Sequence, residues 1–371
     1  MSKFVARFNE INQQKRIPMK KHNFSAGPSI LPQEVLKKAS EAVVDFNGLG
    51  LSLVEISHRS KDFIAVMDNA IALVKELLEV PEGYSVLFVQ GGASTEFLMA
   101  PYNLLKEGGK SAYLDTGSWS AKALKEAKKF GEAVVVASSK DKGYNYIPKN
   151  YEVPSDAAYL HMTSNNTIFG TQIKDFPKGD VLKVVDMSSD IFSRKIDVSQ
   201  FDVIYAGAQK NLGPAGTTLV IVKDAVFGAS ERDIPSILDY AVHAKAGSMF
   251  NTPPVFAVYV SMLTLEWLKE KGGVSAIEKI NEEKAALLYN EVDSNPSFVG
   301  FAAKEDRSNM NVTFTLADES QKEKFDAICL AAGISGINGH RSVGGYRASI
   351  YNAMPVESIQ ILVDAMQELN K

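Results

Sequence analysis

Short apolar runs alternate with amphipathic stretches along most of this chain. Residues 85–90 (SVLFVQ), 133–137 (AVVVA) and 158–162 (AYLHM) are mainly apolar, as are Val184–Val185, Val203–Tyr205 and Leu219–Val222; Tyr113–Leu114 opens a further run. Continuous hydrophobicity predicts strands buried on both faces. Between them, Phe63, Met67, Ala70, Ile71, Val74, Leu77 and Leu78 recur at helical spacing. Pro32 suits the first turn of a helix running to about Phe46, a helical pattern follows Gly91–Gly92, and Ser118 is placed to cap a helix ending at Gly131. The alternation predicts an α/β fold, a mostly parallel sheet covered by helices. SMFNTPPVFAVYVSMLTLEWLKEKGG then reads as one long helix with Thr252 as N-cap, Pro253 in the first turn and Gly272–Gly273 as its stop. Beyond it, helices near 275–293, 320–332 and 355–369 and strands near 310–315 and 346–351 predict a smaller α+β unit. The expected division is a basic, disordered extension over 1–21, a large domain over 22–271 and a small one over 272–371.

Composition narrows the classes. The 371 residues are 45% hydrophobic and 23% charged, enough for a large core, and the net charge of −4 argues against a nucleic-acid partner. Cys329 is alone, in the apolar stretch AICLAAG, so no internal disulfide or thiolate metal cluster is expected, and a buried thiol is. No run approaches the roughly 18 apolar residues of a membrane span. A reducing cytoplasm and no metal are the expectations. Residues 1–21 set six cations against Glu10 and lack a secretory apolar core. Either a start placed ahead of Met19 or an organellar targeting segment fits.

Candidate chemistry gathers at strand ends, where ligands bind in such sheets. The strand Val203–Tyr205 ends in Ala206, Gly207 and Ala208, and Lys210 follows in a loop closed by Gly213, Pro214 and Gly216. Residues this small let a lysine stand against a ligand. Asp186 ends the run before it. A strand-end acid and a neighbouring lysine suggest a pyridoxal phosphate site, with Asp186 on the ring nitrogen and Lys210 as the Schiff-base lysine. A solvent-facing loop lysine fits the local pattern too. Gly91–Gly92, between a strand and a helix, make an anion cradle without matching a nucleotide fingerprint. Trp119 projects from the same side, where it would stack on a flat cofactor or simply pack. Arg59 lies at a helix N-terminus, where the dipole disfavours a cation unless an anion is shared or Glu55 or Asp62 pairs with it. GISGINGHRSVGGYRASIYN brings His340, Arg341 and Arg347 together, a set suited to an anionic ligand or to an exposed basic loop.

NFSAGP, NGLGLSLVEISHRS, TSNNTIFGTQ, YAGAQKNLGPAG, GSMFNTPP and GHRSVGGYRASIYNAMP stand in one order and spacing. From about His22 onward the chain thereby resembles the phosphoserine aminotransferases, pyridoxal-phosphate enzymes of fold type I, class V. The resemblance implies roles. Lys210 is the Schiff-base lysine and proton shuttle, Asp186 pairs with the ring nitrogen, Trp119 stacks on the ring, and Thr167 bonds beside it. Ala93, Ser94 and Gln209 meet the cofactor phosphate, joined by Asn251 and Thr252 from the second subunit of a homodimer. Arg347 takes the substrate α-carboxylate. Arg59 holds the substrate phosphate with His340 and Arg341 of the partner copy, and His58 lies beside them. Where some members read GGGRGQF, this chain reads GGASTEF, leaving backbone N–H groups and the Ser94 hydroxyl for the cofactor phosphate. The implied reaction is reversible ping-pong transfer of an amino group from L-glutamate to 3-phosphohydroxypyruvate, giving L-phosphoserine and 2-oxoglutarate. Some bacterial members also act on a phosphorylated hydroxythreonine in vitamin B6 synthesis. Two rival readings are another class V transaminase, which would not need the Arg59, His340 and Arg341 set, and a non-enzymatic phospholigand-binding protein.

Overall fold

The computed structural model describes residues 21–371; the expected basic extension, apart from Lys21, lies outside the described residues. The chain enters through β1 (His22–Asn23) and continues into α1 (Gln33–Val44) and α2 (Lys61–Leu77). Strand β2 (Tyr84–Val89), α3 (Gly92–Leu104), β3 (Lys110–Asp115), α4 (Ser118–Ala127) and β4 (Glu132–Ser138) follow in strict alternation. After β5 (Ala157–Thr163), a small hairpin pairs β6 (Asn165–Asn166) with β7 (Thr171–Gln172); β8 (Leu182–Asp186), β9 (Val203–Gly207) and β10 (Thr218–Lys223) come next.

These strands build a seven-stranded sheet in the order β2-β10-β9-β8-β5-β3-β4. Only β10 runs against its neighbours within it. The reason is local: β10 returns from β9 by a short loop, too short for the crossover that parallel pairing requires. Alternate side chains enter two cores. Val86 and Phe88 join Phe63, Met67 and Val74 of α2 on one face, while Leu87 and Val89 join Phe97 and Met99 of α3 on the other. Continuous apolar runs therefore did mark strands covered on both sides.

The short α5 (Tyr240–Lys245) leads to α6 (Val255–Glu270), which starts three residues beyond the expected Thr252 cap. Thr252 and Pro253 each precede a proline, which steers both away from helical backbone. In α4 the capping position falls on Gly117 rather than Ser118, and the Ser120 hydroxyl accepts from the N–H groups of Thr116 and Gly117.

The last third adds α7 (Gly273–Ser294), β11 (Phe298–Gly300), β12 (Asn311–Leu316), α8 (Lys322–Ala331), β13 (Ile334–Ser335), β14 (Tyr346–Ser349) and α9 (Val356–Glu368). The antiparallel sheet β11-β12-β14 and these helices close a second core, which takes in Phe24 because β1 pairs with β13. Cys329 is buried in α8, and burial pushes its thiol pKa up to about 12. Among the described residues no helix is long and apolar enough to cross a membrane.

Lys284 of α7 is fully buried, and its Nζ donates to the carbonyls of Ile350 and Tyr351, just past β14. Burial pulls its pKa down to about 7, against about 10.4 for an exposed lysine. The unfolded chain thus binds more protons across that window, and stability rises with pH through it. Between pH 7 and 9.5, urea unfolding should show wild type gaining stability relative to Lys284→Met. Parallel pH curves for the two proteins would contradict this.

Candidate active site

The carboxyl ends of the parallel strands deliver the chemistry. Asp186 is the last residue of β8; it is 4% exposed, and its Oδ1 accepts the N–H of Ser188 at 2.9 Å. Burial raises its pKa, while Lys210 and Ser188 act the other way. Lys210 lies three residues beyond β9. Its loop is tied by Ala208 N–H to Thr217 O at 3.1 Å and Gly213 N–H to Ala208 O at 2.8 Å. The Lys210 amine donates to Thr167 Oγ1 at 2.9 Å, and burial draws its pKa down to about 8 against the pull of Asp186; Arg347 adds to the lowering. Thr167 belongs to the turn of the β6–β7 hairpin, whose Asn165 is pinned by Ser189 and Asn311.

The polar arm at the start of the chain presses on this loop. Ser29 Oγ donates to Lys210 O at 2.7 Å, and a Cβ at Gly27 would stand 3.4 Å from Lys210 Cγ. Across the site, Gly91 adopts φ 99°, and a Cβ there would collide with Thr95 Oγ1 at 1.8 Å. Glycine is therefore required for the turn into α3, whose N-terminus has no side-chain cap and keeps its first N–H groups for a ligand.

One cavity of about 280 Å³ is lined by Ala93, Trp119, Thr167, Asp186, Gln209, Lys210, His340 and Arg347, and also by Ala26, Gly27, Ser188 and Ser189. Its volume lies near the lower end of the roughly 300–1,000 Å³ usual for small-molecule sites. Trp119 Nε1 and Arg347 Nε are buried without a protein partner. Larger clefts exist, such as one of about 500 Å³ beside Tyr151 and Val181, which lacks a buried amine and carboxylate.

Ser94, His58, Arg59, Asn251, Thr252 and Arg341 do not line this cavity within one chain. Arg59 is exposed just before the Ser60 cap of α2, and the Thr252 carbonyl accepts from Gln90 Nε2. His340, expected from a partner copy, lines the cavity of its own chain. The loop bearing it is folded back as a hairpin: Gly339 N–H reaches Gly345 O at 2.9 Å and Arg347 N–H reaches Ile337 O at 2.7 Å. That backbone ties His340 to the strand of Arg347.

Glu96 escaped the sequence reading. It lies in the first turns of α3, is fully buried, and its Oε2 accepts from Tyr240 Oη at 2.7 Å. Burial pushes its pKa up to about 8, with Tyr240 opposing and the charge of Asp186 adding. Such a group favours folding fully below about pH 4.3, and that contribution is lost as pH rises through its folded value. From pH 5 to 8.5, Glu96→Gln should therefore gain stability relative to wild type, by at least about 1.4 kcal/mol, one pKa unit. Denaturant titration at the two pH values measures it, and a constant difference would mean that the carboxylate ionises freely.

These residues fit pyridoxal phosphate: a buried amine of lowered pKa, a buried carboxylate, an indole edge and a free helix N-terminus share one cavity. Comparison with known proteins agrees. The aminotransferase class-V family model matches residues 21–362. The phosphoserine aminotransferase of Flavobacterium johnsoniae is 67% identical over 352 residues, covering 95% of this chain and 99% of that protein. The phosphoserine aminotransferase structure from Bacillus circulans subsp. alkalophilus superposes with a TM-score of 0.92 at 46% identity, over 94% of this chain and 98% of the other. A pyridoxal-phosphate-bound phosphoserine aminotransferase from Trichomonas vaginalis gives 0.87 at 36%, over 94% and 100%. The chain belongs to the class-V aminotransferases and, among them, to the phosphoserine aminotransferases.

Proposed function

We propose that this protein is a pyridoxal-phosphate-dependent transaminase that moves an amino group between L-glutamate and 3-phosphohydroxypyruvate, giving L-phosphoserine and 2-oxoglutarate. The observation that carries the reading is the convergence of Lys210, Asp186 and Arg347 on one cavity. When bound, the cofactor supplies an aldehyde carbon for amine exchange and a ring that spreads the electron pair left on the substrate α-carbon. Asp186 holds the proton of the ring nitrogen. Trp119 offers its indole face, and the α3 N-terminus with Ala93, Ser94 and Gln209 takes the cofactor phosphate. Lys210 Nζ, easily deprotonated because it is buried, takes the substrate α-proton and returns it. Thr167 Oγ1 orients that amine. Arg347, half-buried and without a carboxylate partner, receives the substrate α-carboxylate.

The distal seat requires a second copy in this reading. His58 and Arg59 follow a stretch whose apolar side chains stay exposed: Val44 at 81%, Leu51 at 49% and Val54 at 56%. Asn251 and Thr252 stand between exposed Phe250 and Phe256. Both sets of unassembled site residues thus lie on apolar surface that a homodimer would cover. Because His340 sits over its own cavity, Arg59 and His58 arrive from the partner. The large and small units divide near residue 271, with the strand at His22–Asn23 packing on the small one. A cytoplasmic location suits the single buried thiol.

Glutamate-dependent amination of 3-phosphohydroxypyruvate by the purified holoenzyme tests the function, and its absence would end the reading. The site assignment has its own check. Lys210→Ala should abolish turnover, and Arg59→Ala should weaken phosphoserine turnover by about one to two decades, the worth of a charge-assisted bond. Mixing the two should restore one intact site per heterodimer. With subunit exchange verified, no recovery would place Arg59 on its own chain's site.

A further inference from the structure

Beside Trp119, which lines the cavity, stands a cation that the roles above leave out. Lys122 of α4 sits one turn after Trp119, and its Nζ lies 4.4 Å from the centroid of the Trp119 ring; the Lys210 amine is 5.7 Å from the same centroid. A lysine on a helix surface ordinarily pairs with an acid four residues on. Here that acid is Glu126, and its carboxylate goes to Lys129 instead, at 2.5 Å. Lys122 thus lies over the ring of a residue that itself lines the site.

Its neighbours are cations as well. Lys122, Arg341 and Arg347 all act on His340 and lower its pKa, after burial, and no carboxylate acts against them. Among the described residues none of the three makes an ion pair. Like charges gathered without a counter-ion repel one another, and a doubly charged anion between them relieves that repulsion more than a singly charged one. An ammonium on a flexible stem leaves the indole readily for such an anion.

We propose that Lys122 is a specificity-determining residue that binds the distal phosphate of the phosphorylated three-carbon substrate, distinguishing it from the side-chain carboxylate of glutamate. This rests on the phosphoserine reading above. In Lys122→Gln holoenzyme the KM for phosphoserine should rise about ten-fold relative to that for glutamate, the low end for one charge-assisted contact. Lys122→Arg should recover most of that ratio. An unchanged ratio, or equal rises for both amino acids, overturns the proposal.

A readout without turnover separates this from the functional reading. Proton NMR of the His340 ring in holoenzyme, identified by its loss in His340→Gln, follows binding of inorganic phosphate. Phosphate should raise the His340 pKa in wild type, and Lys122→Gln should need about ten-fold more phosphate for the same rise. If wild type shows no transamination of phosphoserine but keeps this Lys122-dependent response, the functional reading fails and the phosphate contact stands. If both variants respond alike, Lys122 does not touch phosphate, whatever the activity.

Discussion

Two ionisable groups are buried in one cavity and kept from neutralising each other. Lys210 donates to the Thr167 hydroxyl and Asp186 accepts the Ser188 N–H, and no ion pair joins them. Burying an amine and a carboxylate without direct pairing is costly. The surrounding structure consists largely of the supports that make this tolerable: the hairpin that presents Thr167, the tied loop after β9, and the arm that pins the Lys210 carbonyl through Ser29. A direct pair would be more stable and would fill the space a ligand needs.

Beneath that cavity the polar groups are neutral. His161 bonds to Tyr205 at 2.7 Å and Tyr113 to Tyr159 at 2.8 Å, and burial holds the His161 pKa near 3. Tyr205 is the register partner of Asp186, so this uncharged layer adjoins the carboxylate directly. The lining, by contrast, includes His340 and Arg347, and the charge of Arg341 acts on His340. Neutral floor and cationic rim together give a potential that draws doubly charged substrates inward.

Lysine and aspartate were legible because each stands at or just past the end of a short apolar run, and that is a local signal. Arg347 was legible from the glycine-rich segment around it. Glu96 was not: an acid in the first turns of a helix ordinarily faces water, and its hydroxyl partner Tyr240 comes from a helix far along the chain. Nor does the sequence show the backbone bonds of the hairpin between Ile337 and Arg347, which hold His340 at the cavity of its own chain. The start of α6 was misplaced because Pro253 and Pro254 favour an extended approach, a rule readable in the sequence but outweighed by an attractive cap. The pairing of β1 with β13 has no signature within either dipeptide.

That pairing has a consequence for how the molecule is made. His22 bonds to Ser358, 336 positions away, and Tyr351 Oη reaches back to Ala26 O at 2.7 Å. At synthesis rates of roughly 5–20 residues per second, the first strand leaves the ribosome on the order of tens of seconds before its partner exists. The large sheet can assemble meanwhile, since its strands all lie within residues 84–223. Ala26, which walls the cavity, lacks its Tyr351 partner until the chain past β14 has been made. A half-made chain therefore carries Lys210 in an unfinished pocket, and the arrival of Tyr351 and Ser358, rather than folding of the sheet, completes the packing of the arm beside it.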